Sequence, residues 1–271
     1  MKSFIHVALF TCFFLTHLLS VHGQTPAAIE IKKDIVYGHA GGVEQKLDIG
    51  RPEGKGPFPV ILFFHGGGWQ QGAKWHMHRW IQKFVPLGYV GVAVQYRFAP
   101  QFKWPSQVED AKQAVRYLRA HAAELNIDPD RIGAMGESAG AYLALMLGVT
   151  SPADGLEGQT DIPEFSSSVK AVVSFFSGTD FTLPGLPLTA QQDSDMLKYY
   201  HKPLKEVRMD FTGATGPDDP ILKKISVLTY VDKNDPPILM FHGDKDPFVS
   251  LEHPRRLQQA LEKVHVPNEL V

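Results

Sequence analysis

The passage from residue 131 to residue 150 constrains this chain more than any other. An apolar run, Ile132-Gly133-Ala134-Met135, enters Gly136-Glu137-Ser138-Ala139-Gly140 and leaves as a stretch rich in Ala and Leu. Glycines on both sides of Ser138 permit a turn too sharp for larger residues, so the spacing predicts a strand that reverses directly into a helix. A serine at that apex is exposed, and the helix N-terminus behind it favours negative charge developing on its oxygen. Ser138 is therefore the candidate nucleophile; the plain alternative is a serine N-cap after a glycine turn.

Such a turn needs a sheet to stand on, and the remaining pattern supplies one. Residues 30–39 and 45–49 read as an antiparallel pair around Ala40-Gly41-Gly42, and residues 60–64 as a strand buried on both faces. Met77, Trp80, Ile81, Phe84 and Val85 recur at helical spacing before a strand over residues 89–96. Val108, Ala111, Val115, Leu118 and Ala122 mark another helix, and Asp128-Pro129-Asp130 reads as a turn into the strand over 131–135. Further strands are expected over 169–176 and 237–241, then a helix faced by Leu257, Ala260, Leu261 and Val264, with a last strand opening at 269–271. Strands alternating with helices imply an α/β fold whose mostly parallel sheet has helices on both faces and carries its sites at the carboxyl ends of strands. Residues 181–230 have poor periodicity and frequent prolines, which predicts a loop-rich, cap-like insertion with one or two short helices.

The N-terminus has a separate logic. Lys2, a mostly apolar run over residues 4–19 and Val21-His22-Gly23 predict a signal peptide over residues 1–23, and hence a secreted or periplasmic protein. An uncleaved anchor is the rival, weakened by the short run and by His6 and His17 inside it. No later segment is apolar for long enough to span a bilayer, so the mature chain, residues 24–271, reads as one domain without a membrane span. Its one cysteine, Cys12, falls in the leader, which leaves stability to the core rather than to cross-links. A net charge of -2 supplies no electrostatic footprint for nucleic acid.

Two further clusters carry chemistry. His65-Gly66-Gly67-Gly68-Trp69 follows a buried strand, and its glycines leave backbone N–H groups able to approach a substrate oxygen. The oxyanion hole is assigned to the N–H groups of Gly67, Gly68 and Ala139, with His65 a structural hydrogen-bonding residue. In His242-Gly243-Asp244-Lys245-Asp246, Asp246 is the first choice for the acid of a Ser, Asp, His chain order, ahead of Asp244 and Asp180. His76 and His78 are two apart, a spacing that points side chains away from one another on a helix, and no metal, nucleotide or organic cofactor is implied. Trp69, Trp75 and Trp104 read either as an aromatic wall for substrate or as ordinary core and surface residues.

Taken together, the HGGGW loop, Tyr96-Arg97-Phe98-Ala99-Pro100, GESAG and HGDKDPFV resemble the secreted esterase and lipase-like α/β hydrolases. The likeness is nearest to the subgroup related to bifunctional feruloyl and acetyl-xylan esterases and to hormone-sensitive-lipase-type enzymes, and it is weakest over residues 181–230. It implies an α/β-hydrolase fold and a serine carboxylic-ester hydrolase acting on short-chain acyl or polysaccharide-linked esters. In that reading Ser138 attacks the carbonyl, a histidine shuttles the proton, and Asp246 orients the histidine. The resemblance puts this histidine in a loop after the last strand, on the order of 10 residues beyond Val271, so the sequence is expected to be truncated and the 271-residue form impaired. His253, just before the last helix, is a weak substitute base, and both it and His265 are expected mainly at the surface. A peptidase on the same fold and a non-catalytic binding protein are the competing readings.

Overall fold

The computed structural model describes residues 29–183 and 189–271. The leader expected at residues 1–23 lies outside the described residues, as do residues 184–188 of the insertion.

Eight strands form one sheet in the order β1-β2-β4-β3-β5-β6-β7-β8. β1 (Ile31–Ala40) and β2 (Val43–Gly50) are an antiparallel hairpin, and β2 also runs antiparallel to β4 (Val90–Val94). From β4 onward every pairing is parallel, through β3 (Phe58–Phe64), β5 (Ile127–Glu137), β6 (Val172–Phe175), β7 (Ile238–Phe241) and β8 (Asn268–Leu270). The mostly parallel sheet matches the expectation from alternating strands and helices.

The chain steps outward from β3 to β4 and then returns past β3 to β5, so the order reverses between β3 and β5. At such a reversal the connections leave in opposite directions and open a crevice above the strand ends. Both chemistry-bearing loops, after Phe64 and after Glu137, rise from that crevice, where Phe64 is paired with Gly136.

One face of the sheet is covered by α2 (Ser106–Ala120), the nearly all-buried α4 (Ala139–Val149) and α8 (Glu252–Lys263), whose Val108, Val115, Tyr142, Leu145, Leu257 and Leu261 join the main core. α1 (His78–Phe84) covers the other face, packing Ile81 with Phe63, Ala93 and Met135. α4 is apolar all round because it is enclosed on all sides, so its sequence shows no amphipathic stripe.

Three local readings are corrected. Asp128-Pro129-Asp130 is not a turn before β5 but part of it: pairing jumps from Phe58 with Ile127 to Val60 with Ile132, so the extra residues bulge out of the ladder. The helix of residues 108–122 breaks at His121, and α3 (Ala122–Leu125) ends at Asn126 in the left-handed region. The insertion holds more helix than expected, with α5 (Ala190–Tyr200), α6 (Leu204–Thr212) and α7 (Ile221–Ile225). α5 buries none of its residues, so no core-facing periodicity was there to read.

Candidate active site

Ser138 is the single residue between β5 and α4, with φ 51° and ψ -116°. That conformation costs a residue with a side chain about 1–3 kcal/mol and persists only where the surroundings enforce it. They do so here: the Ser138 N–H donates to the Phe175 carbonyl at 2.9 Å, and the Ser138 carbonyl accepts from Tyr142 N–H at 3.1 Å. The flanking glycines are required by close approach, since a Cβ on Gly136 would lie 2.2 Å from the Gly140 carbonyl oxygen and one on Gly140 would lie 2.2 Å from that of Phe64. Glu137 anchors the turn from outside, its carboxylate accepting from Trp80 Nε1 at 2.8 Å and pairing with Arg79.

The loop after β3 passes over this serine. A Cβ on Gly66 would sit 3.3 Å from the Cβ of Ser138. Gly67 and Gly68 have φ of 121° and 58°, and a side chain on Gly67 would meet the Gln71 carbonyl oxygen at 2.0 Å. The Gly67 carbonyl is turned into the loop, accepting from Gln70 and Gln71 N–H at 3.1 and 3.2 Å. Among the described residues, no acceptor engages the N–H groups of Gly67, Gly68 or Ala139. The structure thus brings the three predicted oxyanion donors and Ser138 to one cavity.

His65 supports the loop from beneath. It is fully buried, stacks on Tyr96 at 4.5 Å, and its Nδ1 lies 2.7 Å from the Gly66 carbonyl oxygen. Burial lowers its pKa to about 4, so it is neutral and donates from Nδ1 to that carbonyl.

Asp246 follows β7, with one carboxylate oxygen accepting from the N–H groups of Phe248 and Val249 at 2.8 and 2.9 Å. Its other oxygen is 3.6 Å from His242 Nε2, which is also 2.8 Å from the Val249 carbonyl oxygen. Asp246 lies behind the cavity wall rather than in it, while Phe248 and Val249 line the cavity. Asp244 is exposed. Asp180 does line the cavity, but its carboxylate is occupied by Thr182 and by Arg256 at 3.0 Å. Burial opposes its ionisation, yet those hydrogen bonds hold it below the usual carboxylate range.

His253 departs from expectation. α8 begins at Glu252, so His253 stands inside its first turn rather than before it, and its ring faces the cavity instead of open solvent. Its Nδ1 accepts from the backbone N–H groups of Thr179 and Asp180, both at 3.2 Å, which leaves the ring proton on Nε2. Burial lowers its pKa to about 4, against a smaller opposing pull from Asp180. A ring with its lone pair engaged and a proton on the other nitrogen is a donor, not a base. His265 is exposed beyond the end of α8. His76 and His78 diverge, His76 lining the cavity while His78 Nε2 pairs with Asp48 at 2.7 Å.

The cavity measures about 1530 Å³. Trp69 and Trp75 line it and Trp104 is in the core; Trp69 stacks on Phe211 of α6 at 3.9 Å. Sequence reasoning missed the contribution of α5 and α6, including Tyr200, because cavity-facing residues of a cap follow neither core periodicity nor a motif.

The BD-FAE family model matches residues 47–261, from β2 to α8. The chain is 29% identical over 253 residues to the esterase LipQ of Mycobacterium tuberculosis, an alignment covering 91% of this chain and 56% of LipQ. It therefore spans little more than half the length of that relative. A truncated carbohydrate esterase from gut microbiota superposes with a TM-score of 0.73 at 26% identity, covering 89% of this chain and 86% of that one. Esterase 2 of the planctomycete Thermogutta terrifontis, solved with butyrate bound, gives a TM-score of 0.71 at 30% identity, with 90% and 82% covered. Sheet order, reversal point and strand-turn-helix at Ser138 are those of the α/β-hydrolase fold, and the chain belongs to the BD-FAE family.

Proposed function

We propose that this chain carries the centre of a serine carboxylic-ester hydrolase in which Ser138 is transiently acylated. The observation that carries the reading is the strained Ser138 apex beneath a glycine loop in which the N–H groups of Gly67 and Gly68, like that of Ala139, meet no acceptor among the described residues. Ser138 Oγ adds to the ester carbonyl, and the oxygen that becomes negative is held by the N–H groups of Gly67, Gly68 and Ala139. A histidine takes the serine proton and returns it to the departing alcohol, and water then releases the acid by the same route. Asp246 orients that histidine.

In this reading the histidine follows β8, beyond Val271. Val271 N–H donates to the Met240 carbonyl at 2.9 Å and its carbonyl accepts from His242 N–H at 3.0 Å, which carries β8 alongside β7 to the foot of the Asp246 loop. A polypeptide ending at Val271 then hydrolyses esters at least about 10³-fold more slowly than one that includes the histidine.

The aromatic, roomy cavity supports esters with short acyl chains or esters carried on carbohydrate, and the butyrate-bound and carbohydrate-esterase relatives support the same class. The apolar N-terminal run supports action outside the cytoplasm. The test is hydrolysis of p-nitrophenyl acetate, p-nitrophenyl butyrate and acetylated xylan by the full-length protein and its Ser138→Ala variant. Turnover lost in the variant supports the reading; equal turnover in both, or none in either, defeats it.

A further inference from the structure

α5 carries a hydroxyl to the oxyanion loop. A Cβ on Gly68 would lie 2.8 Å from Tyr200 Cε1, 2.9 Å from Tyr200 Oη and 2.9 Å from Val207 Cγ1, so the cap is closed directly onto this glycine. The link is reinforced by Gln71 Nε2 donating to the Tyr199 carbonyl at 3.2 Å and Gln70 Nε2 donating to the Val207 carbonyl at 3.0 Å. Tyr200 lines the cavity that holds Ser138, and among the described residues its hydroxyl has no hydrogen-bond partner. Tyr200 is half-buried and its hydroxyl is open to the cavity, whereas the fully buried Tyr37, Tyr96 and Tyr142 each donate to a carbonyl.

Backbone N and Cβ of one residue are roughly 2.5 Å apart, so Tyr200 Oη stands within about 5.5 Å of Gly68 N. Two donors sharing one acceptor at ordinary hydrogen-bond length are separated by at most about 6 Å. The separation therefore falls within the span that one oxygen shared by Gly68 N–H and Tyr200 Oη requires. Burial, with a smaller contribution from Tyr199, pushes the Tyr200 phenol up to about 12, so it keeps its proton as a donor at neutral pH.

Resting on the ester-hydrolase reading, we infer that Tyr200 is a further catalytic donor, its hydroxyl hydrogen-bonding the carbonyl oxygen of an ester bound over Ser138 and strengthening that bond as the oxygen becomes negative. The oxyanion hole is then completed by the cap and is whole only when α5 is seated on Gly68.

Tyr200→Phe keeps the ring packing and removes only the donor. In the full-length protein the variant is expected to lose on the order of 10- to 100-fold in kcat for p-nitrophenyl acetate, with KM and Tm little changed. Inhibition by a trifluoromethyl ketone, whose serine adduct carries an oxyanion, should weaken by a similar factor. Wild-type rates in Tyr200→Phe, or a loss carried wholly by KM, overturn the inference while leaving the ester-hydrolase reading intact. A wild-type protein with no esterase activity defeats the reading itself.

Discussion

His253 Nδ1 lies 3.2 Å from the backbone N–H of Thr179, and this bond ties the first turn of α8 to the loop after β6. It also makes the fold sensitive to acid. The ordinary histidine pKa of 6.5 is lowered to about 4 in both His253 and His65. Between those values the unfolded chain binds more protons than the folded one, so stability is fully present above pH 6.5 and falls as the pH drops toward 4. Each histidine contributes up to about 1.4 kcal/mol per pH unit across that window, less for the partly accessible His253. Urea unfolding at pH 7, 5.5 and 4.5 should show the decline, and His253→Gln, which keeps an acceptor without titrating, should make it shallower while leaving the share due to His65. Equal stability at all three values would contradict this account.

Ser138 pays for its position in backbone strain that glycine does not feel. Ser138→Gly is therefore expected to stabilise the protein by about 1 kcal/mol, the relief exceeding the extra chain entropy glycine loses on folding. Denaturant unfolding of the variant checks this, and a destabilised variant would mean that φ 51° carries no strain here.

The elements most legible in the sequence were those built on local rules. The Gly136-Glu137-Ser138-Ala139-Gly140 turn was readable because only glycine fits where α4 meets the ends of β3 and β5, and β3 and β4 because buried parallel strands are continuous apolar runs. What escaped depended on packing at a distance. No local pattern reveals that Asp128 and Asp130 sit in a bulge, that Thr179 and Asp180 capture the ring of His253, or that α5 lays Tyr200 against Gly68.

Gly140 should tolerate no side chain. In Gly140→Ala the new Cβ would meet the Phe64 carbonyl oxygen at 2.2 Å, a backbone atom that cannot turn aside, so α4 must shift from β3. A loss of about 3 kcal/mol or more is expected, together with loss of reaction at Ser138. A variant with unchanged Tm would show that α4 is not held where it is described.

Trp69 links the glycine loop to the cap through its stack on Phe211, at 3.9 Å and 8° between planes. Trp69→Leu should cost about 2 kcal/mol and raise KM more than it lowers kcat, because the cap wall loosens while the N–H donors remain. Steady-state kinetics beside thermal unfolding tests both halves; a change confined to kcat would place the tryptophan in the chemistry itself.

Whether Ser138 is the nucleophile is decided by mass spectrometry of the tryptic peptide beginning at Ile132 after the full-length protein reacts with a fluorophosphonate. One phosphonyl adduct is expected, located on Ser138 and absent from Ser138→Ala. An unmodified peptide, or equal labelling of the Ser138→Ala variant, would contradict it.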